Sequence, residues 1–237
     1  MNNIRKVGFI CPMDCELDAV TRLMTEVTER VFGALTFYEG KIGACDAVAV
    51  KCGVGKVFAA IAAEAMILGF SPDLVINTGV AGNLSDGLSI GDVVVSESVV
   101  QHDMDTSPLG DPVGLISGIN KVYIESDADA ARLMCSVLDT LGVRYLRGVV
   151  ASGDQFVATQ AQRDFIKSTF GALCCEMEGA AVGQVCYANG VPFLVLRALS
   201  DDANGHSPDD FPAYCVRVSE VSSRAIRAFI KALEQAV

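Results

Sequence analysis

Short apolar runs alternate along this chain with stretches whose hydrophobic residues recur three or four positions apart, and few folds accept that alternation. Residues 4–10 read as a buried strand. From Asp14 the spacing turns helical, with Leu17, Val20, Leu23/Met24 and Val27 on one face. Residues 37–42 and 46–50 read as two strands around a turn at Gly43, and the Ala-rich stretch 57–68 predicts a helix that Gly69 can cap. Residues 74–77 predict a buried strand, 78–83 a turn, and 92–99 another strand. Between 102 and 121, Pro108, Gly110, Pro112, Gly114 and Gly118 predict a long irregular loop of the kind that often carries function. Helices at 127–141, after an N-cap at Thr159, at 178–187 and at 209–236 enclose strands at 149–151 and 193–199. The order predicts an α/β fold: one domain over residues 1–237, with a mixed twisted central sheet flanked by helices.

The 237 residues are 51% hydrophobic and 20% charged, enough for one sizeable core. A formal net charge of −11 repels phosphate backbones, so no nucleic-acid partner is expected. The apolar stretch 179–196 is broken by Gln184, Asn189 and Gly190-Val191-Pro192, and residues 7–10 are too short for a signal segment. No membrane span is expected, and the location expected is cytoplasmic. Nine cysteines lack disulfide-framework spacing and read as small buried hydrophobes in a reducing compartment. With two histidines, His102 and His206, no zinc cluster can be read, and neither metal nor cofactor is expected.

Charge is expensive to bury unless it is paired or used. Cys175-Glu176-Met177-Glu178-Gly179 sets two carboxylates in an apolar stretch, and the run 193–196 ends in Arg197-Ala198-Leu199-Ser200-Asp201. In open α/β sheets ligands bind outside the carboxyl ends of strands. Asp14 and Glu16, the segment 78–83, residues 152–154 and Ser200-Asp201 all fall at such ends. Any one of them alone reads as a cap or a turn; their clustering points to a polar ligand. Gly53-Val54-Gly55-Lys56 and Gly79-Val80-Ala81-Gly82 match neither a P-loop nor the dinucleotide-binding glycine pattern.

These pieces, with Cys52–Val57, Asn77–Gly82, Gly91–Ser96, His102–Asp105 and Ser152–Val157, recur in an order that resembles the 5′-methylthioadenosine/S-adenosylhomocysteine nucleosidases of the nucleoside phosphorylase superfamily. The resemblance runs from about residue 5 to the C-terminal helix and implies a nucleoside phosphorylase-like fold. It implies hydrolysis of an adenine 5′-thionucleoside to adenine and a 5-thioribose. Asp201 then matches the acid that protonates adenine N7, supported by Ser200. Glu16 matches the base that positions and deprotonates water. Glu178, with Met177 alongside, would bind the ribose hydroxyls. Phe156 would stack on the purine, and the Val157 backbone would bond its edge. Met13, Val54, Val80 and Phe211 would complete the pocket. The chemistry is coherent: cleavage builds oxocarbenium character on the sugar, one acid protonates the leaving group and another activates water. On this reading Asp201 needs burial to carry a proton near neutral pH, and Glu16 is kept ionised by its helix N-terminus. Glu176 reads as structural, bound to nearby amides, and His102 is given no role.

Pro12, Cys15 and Val80 depart from residues common in the family, without removing a carboxylate. The loop 106–117 resembles one that reaches the partner subunit's 5′ pocket. This implies a homodimer, with Leu109 and Ile116 as apolar contacts. Two rival readings remain: a phosphorylase, disfavoured because the loop at Asp14 and Glu16 brings no arginine for phosphate, and a nucleoside binder without turnover. The 5′ substituent stays open among methylthioadenosine, S-adenosylhomocysteine, 5′-deoxyadenosine and aminodeoxyfutalosine.

Overall fold

Apolar runs rich in Val, Ile and Leu pair into one ten-stranded mixed sheet, seen in a computed structural model that describes residues 4–201 and 211–235, without the side chains of 211–214. The chain order is β1 (Lys6–Cys11), α1 (Asp14–Thr21), β2 (Thr25–Phe32), β3 (Leu35–Ile42), β4 (Cys45–Lys51), α2 (Lys56–Phe70), β5 (Leu74–Asn83) and β6 (Val93–Gln101). After the loop follow β7 (Ile124–Glu125), α3 (Ala128–Leu141), β8 (Tyr145–Ser152), α4 (Gln160–Phe170), β9 (Ala172–Glu176), α5 (Gly179–Asn189), β10 (Phe193–Leu199) and α6 (Phe211–Gln235).

β1 lies parallel between β4 and β5, and the meander β4-β3-β2 forms one antiparallel wing. β10 pairs parallel with β5 and antiparallel with β6; β6, β8 and β9 run parallel; and β9 returns to β5 at Gly82 and Asn83. The strands β5, β10, β6, β8 and β9 thereby close into a ring. Period-two alternation splits the core in two. Leu194, Leu196 and Ala198 of β10 face a layer with α1, α3 and α6, whereas Phe193, Val195 and Leu199 face α2 and α5. A third, smaller cluster lies under Ile166 and Phe170 of α4.

The fold expected from the sequence is observed, with local corrections. The helix from Asp14 stops at Thr21 instead of running to Val27. Residues 25–32 form β2, an edge strand exposed along most of its length, whose β-branched Thr25, Val27, Thr28 and Val31 suit a pleated ribbon. The stretch 78–83 continues β5 as strand rather than turning. Gly79 permits this: a Cβ there would stand 2.5 Å from Arg197 Nη1 and 2.7 Å from Glu16 Oε1. Helix α2 passes Gly69 and ends at Ser71 in the left-handed region (φ 50°). β8 starts four residues before the expected strand, and β2 and β9 were not expected at all. The loop after β6 is irregular as expected, with one 3-10 turn at Ser107–Leu109 and a bridge between Ile116 and Lys121. Thr159 caps α4 as expected, accepting from Gln162 N. Among the described residues no helix is long and apolar enough to cross a membrane, no group of His, Cys, Asp or Glu could hold a metal ion, and all nine cysteines are free.

Candidate active site

Helix α1 begins at the carboxyl end of β1, so its first turn delivers Glu16 to the sheet edge. The Met13 N–H donates to Glu16 Oε2 at 2.8 Å and the Val80 N–H to Oε1 at 3.0 Å, fixing the carboxylate between α1 and β5. Burial pushes the Glu16 carboxyl up to about 7; Arg197 and the two amides pull the other way without overcoming it. The expectation that the helix N-terminus keeps Glu16 ionised is corrected to this extent: with the carboxyl at about 7, it is only partly ionised at neutral pH. A rise from 4.5 to about 7 corresponds to roughly 3 kcal/mol, against about 0.3–1 kcal/mol for a charge at a helix end.

At the end of β9 the chain turns sharply into α5. Glu176 accepts the Glu178 N–H at 2.9 Å, both oxygens accept the Gly179 N–H, and the Ser152 hydroxyl donates to it, so this carboxylate ties the turn together. Glu178 then points toward α2, where the Gly55 N–H donates to its Oε1 at 2.9 Å. Gly55 adopts φ 105°, a conformation that suits glycine and lets the amide reach the carboxylate. Burial also pushes Glu178 up to about 7, with Arg197 opposing and Glu176 adding to the rise.

Arg197, 1% exposed, is the cation of this cluster. Its Nη2 donates to Glu176, to Asn77 Oδ1 and, at 3.4 Å, to Glu178 Oε2; its Nη1 donates to the Val80 carbonyl at 3.3 Å. Burial disfavours the charge, but Glu176, Glu178 and Glu16 together hold the guanidinium above its ordinary range. Three carboxylates therefore share one arginine. The second charge centre lies just beyond β10. Asp201 Oδ1 accepts the Asn83 N–H at 2.6 Å and Oδ2 accepts Arg163 Nη2 at 2.7 Å.

Both centres open into one cavity of about 240 Å3. Met13, Glu16, Val54, Val80 and Phe156 line it, together with Val157, Met177, Glu178, Ser200 and Asp201. Every candidate site residue from the sequence is therefore brought together, apart from Phe211, whose side chain lies outside the described residues. Phe156 stands at the rim, 76% exposed. The family model described as the phosphorylase superfamily matches residues 6–231. The 5′-methylthioadenosine/S-adenosylhomocysteine nucleosidase of Shewanella oneidensis is 35% identical over 230 residues, covering 97% of this chain and 98% of the relative. The chain belongs to this nucleosidase family.

Solved structures agree. The nucleosidase of Neisseria meningitidis in complex with methylthio-immucillin-A is 30% identical, with a TM-score of 0.92 over 97% of this chain and 100% of the other. The futalosine hydrolase of Helicobacter pylori is 31% identical, with a TM-score of 0.91 over 97% and 98%. In this nucleosidase-family chain the sequence reading missed two residues that organise the site. Arg197 had a legible signal, a charge inside the otherwise apolar run 193–199. Arg163 had a fainter one: it shares a helical face with Ile166 and Phe170, both buried. Glu176 binds amides as expected. Ile116 is a correction: it is 7% exposed and packed in its own core, while Leu109 of the same loop is 83% exposed.

Proposed function

We propose that the chain hydrolyses the N-glycosidic bond of adenine 5′-thionucleosides, releasing adenine and a 5-thioribose. The observation that carries this is the pairing of two differently held acids on one cavity. Glu16 docks on the amide of Val80 and Asp201 on the amide of Asn83, three residues along β5 and roughly 10 Å of strand. With the two acids set apart in this way, the sugar can lie between them, the attacking water on the Glu16 side of C1′ and the departing purine on the Asp201 side, as in inverting glycoside hydrolysis. The C1′–N9 bond breaks with its electron pair going to adenine, which takes a proton from Asp201 at N7. Water forms the new C1′–O bond and its proton passes to Glu16. A base held at about 7 suits that task near neutral pH. Glu178 accepts the ribose hydroxyls, Ser200 supports Asp201, and Phe156 and Val157 hold the purine. Met13, Val54, Val80 and Met177 surround the sugar and its 5′ substituent.

The phosphorolytic alternative meets an obstacle in the same cluster. The arginine nearest Glu16 is already surrounded by Glu16, Glu176 and Glu178, whose charge repels phosphate. Adenine release from 5′-methylthioadenosine is therefore expected in phosphate-free buffer, at a rate that added phosphate does not raise. Release only with phosphate would refute hydrolysis, and tight binding without any release would favour a nucleoside binder. A second reading, the larger 5′ group of aminodeoxyfutalosine, draws on the similarity to the Helicobacter pylori futalosine hydrolase. Comparing kcat/KM across the 5′ series decides between them.

The active form is proposed to be a homodimer. Helix α2 leaves Val57, Phe58 and Ile61 more than half exposed beside the cavity, and Leu109 projects from the loop after β6. An apolar face of this kind marks an association surface. Leu109 of one subunit would complete the partner's 5′ pocket. Ile61→Glu is expected to yield monomers by light scattering and to raise KM for 5′-methylthioadenosine about tenfold or more; a fully active monomer would end this part of the proposal.

A further inference from the structure

The acid read at Asp201 has a buried cation of its own. Arg163 sits in the first turn of α4, a place where nothing in the proposed reaction requires a guanidinium. It is 5% exposed. Its Nη2 donates to Asp201 Oδ2 at 2.7 Å and to the Val157 carbonyl at 3.5 Å, its Nη1 to the Asn83 carbonyl at 3.1 Å, and among the described residues its Nε has no partner. Among these partners Asp201 is the carboxylate; the others are neutral carbonyls. Two of them belong to segments that shape the purine end of the cavity: Asn83, whose own amide holds Asp201, and Val157. A buried guanidinium is costly unless it is paired, and the carboxylate that pairs this one is Asp201, which lines the cavity, so the ion pair calls for a reason in the chemistry.

We propose that Arg163 is a positioning residue for Asp201: it fixes the carboxylate at the purine end of the cavity and stabilises the negative charge left on it when the proton passes to N7. This rests on the reading of Asp201 as the acid. As C1′–N9 breaks, the departing electron pair is neutralised at N7 by the Asp201 proton, and Asp201, a buried side chain, becomes an anion. The Arg163 charge is already in place there, so no reorganisation is needed at that moment. Of about four positions on the Asp201 carboxyl two are occupied, so one of the others can carry the proton given to N7 and accept from N7–H after the transfer.

The test is a double-mutant cycle on the full chain with 5′-methylthioadenosine. R163M is expected to lower kcat about 10- to 100-fold, the range for a hydrogen bond to a charged group, with KM changed less than about threefold. R163K, which keeps the charge, is expected to recover much of that loss. In a D201N background, R163M is expected to change kcat less than about threefold, because the charge it serves no longer forms. Equal penalties in both backgrounds would reduce Arg163 to a structural role, and faster turnover in R163M would show that the cation restrains the proton; either overturns the proposal while leaving the acid in place. Near-normal turnover in D201N alone would remove the acid reading itself. If R163M does not fold, the same cycle run with R163Q, which removes the charge but keeps a donor for the Asn83 and Val157 carbonyls, decides on the same criteria.

Discussion

Glu16→Gln is expected to lower kcat for adenine release by about 10²–10⁴-fold and to leave KM nearly unchanged if, as proposed, Glu16 is the base that acts on the attacking water. The substitution keeps the shape of the side chain but removes its ability to accept a proton. The pH dependence gives the sharper signature. Burial holds Glu16 at about 7, so in the wild-type protein its ionised fraction, and with it kcat/KM, grows as pH rises through 7. Glu178 also stands at about 7 and shares Arg197, so the acid limb belongs to the two together. Separating them needs both parameters: Glu178→Gln is expected to act mainly on KM, through the ribose hydroxyls, and Glu16→Gln mainly on kcat. Steady-state kinetics from about pH 5 to 9 on each variant provide the check. A Glu16→Gln protein with near-normal turnover would remove Glu16 as the base.

The fold was legible wherever burial imposes a period. The β10 run alternates strictly between the two core layers, and the apolar faces of α3 and the Ala-rich α2 are plain in sequence. It was illegible where burial is absent. β2 is exposed along nearly its whole length, so no hydrophobic alternation marks it, and Leu23, Met24 and Val27 happened to extend the helical spacing of α1. In the site, acids at strand ends could be found from topology alone. Their protonation could not: Glu16 carries every sequence mark of a helix-start carboxylate, yet the net rise caused by burial exceeds the contribution of a helix end by about threefold or more in energy. Nor could the arginines be assigned. Arg163 lies 38 residues from Asp201 along the chain, and only the closing of the strand ring brings α4 over the end of β10.

Arg197→Met is expected to damage both stability and activity, and by more at alkaline than at acid pH. The side chain is fully buried, and its removal leaves Glu16, Glu176 and Glu178 without their shared cation. Breaking a buried ion pair from one side costs about 3–5 kcal/mol, which for a chain of this length lowers Tm by roughly 10 °C. The pH sign follows from the raised carboxyls. A folded-state value of about 7 against 4.5 unfolded stabilises the fold most at low pH, and that advantage is lost as pH rises through 7. Without Arg197, which pulls both groups down, Glu16 and Glu178 move higher still. The window of loss then extends above 7, and the deficit relative to wild type grows from pH 5 to pH 8. Activity at pH 7 falls by about 10²–10³-fold, because Glu16 is then held protonated and cannot accept from water. Thermal melts at the two pH values and turnover at pH 7 test this together. A Tm deficit that did not grow with pH would mean that Arg197 serves packing and not the charge of the three acids. Arg197→Lys separates charge from geometry: it restores much of the alkaline stability, but a single ammonium cannot reach Asn77, Val80, Glu176 and Glu178 at once, so turnover stays low.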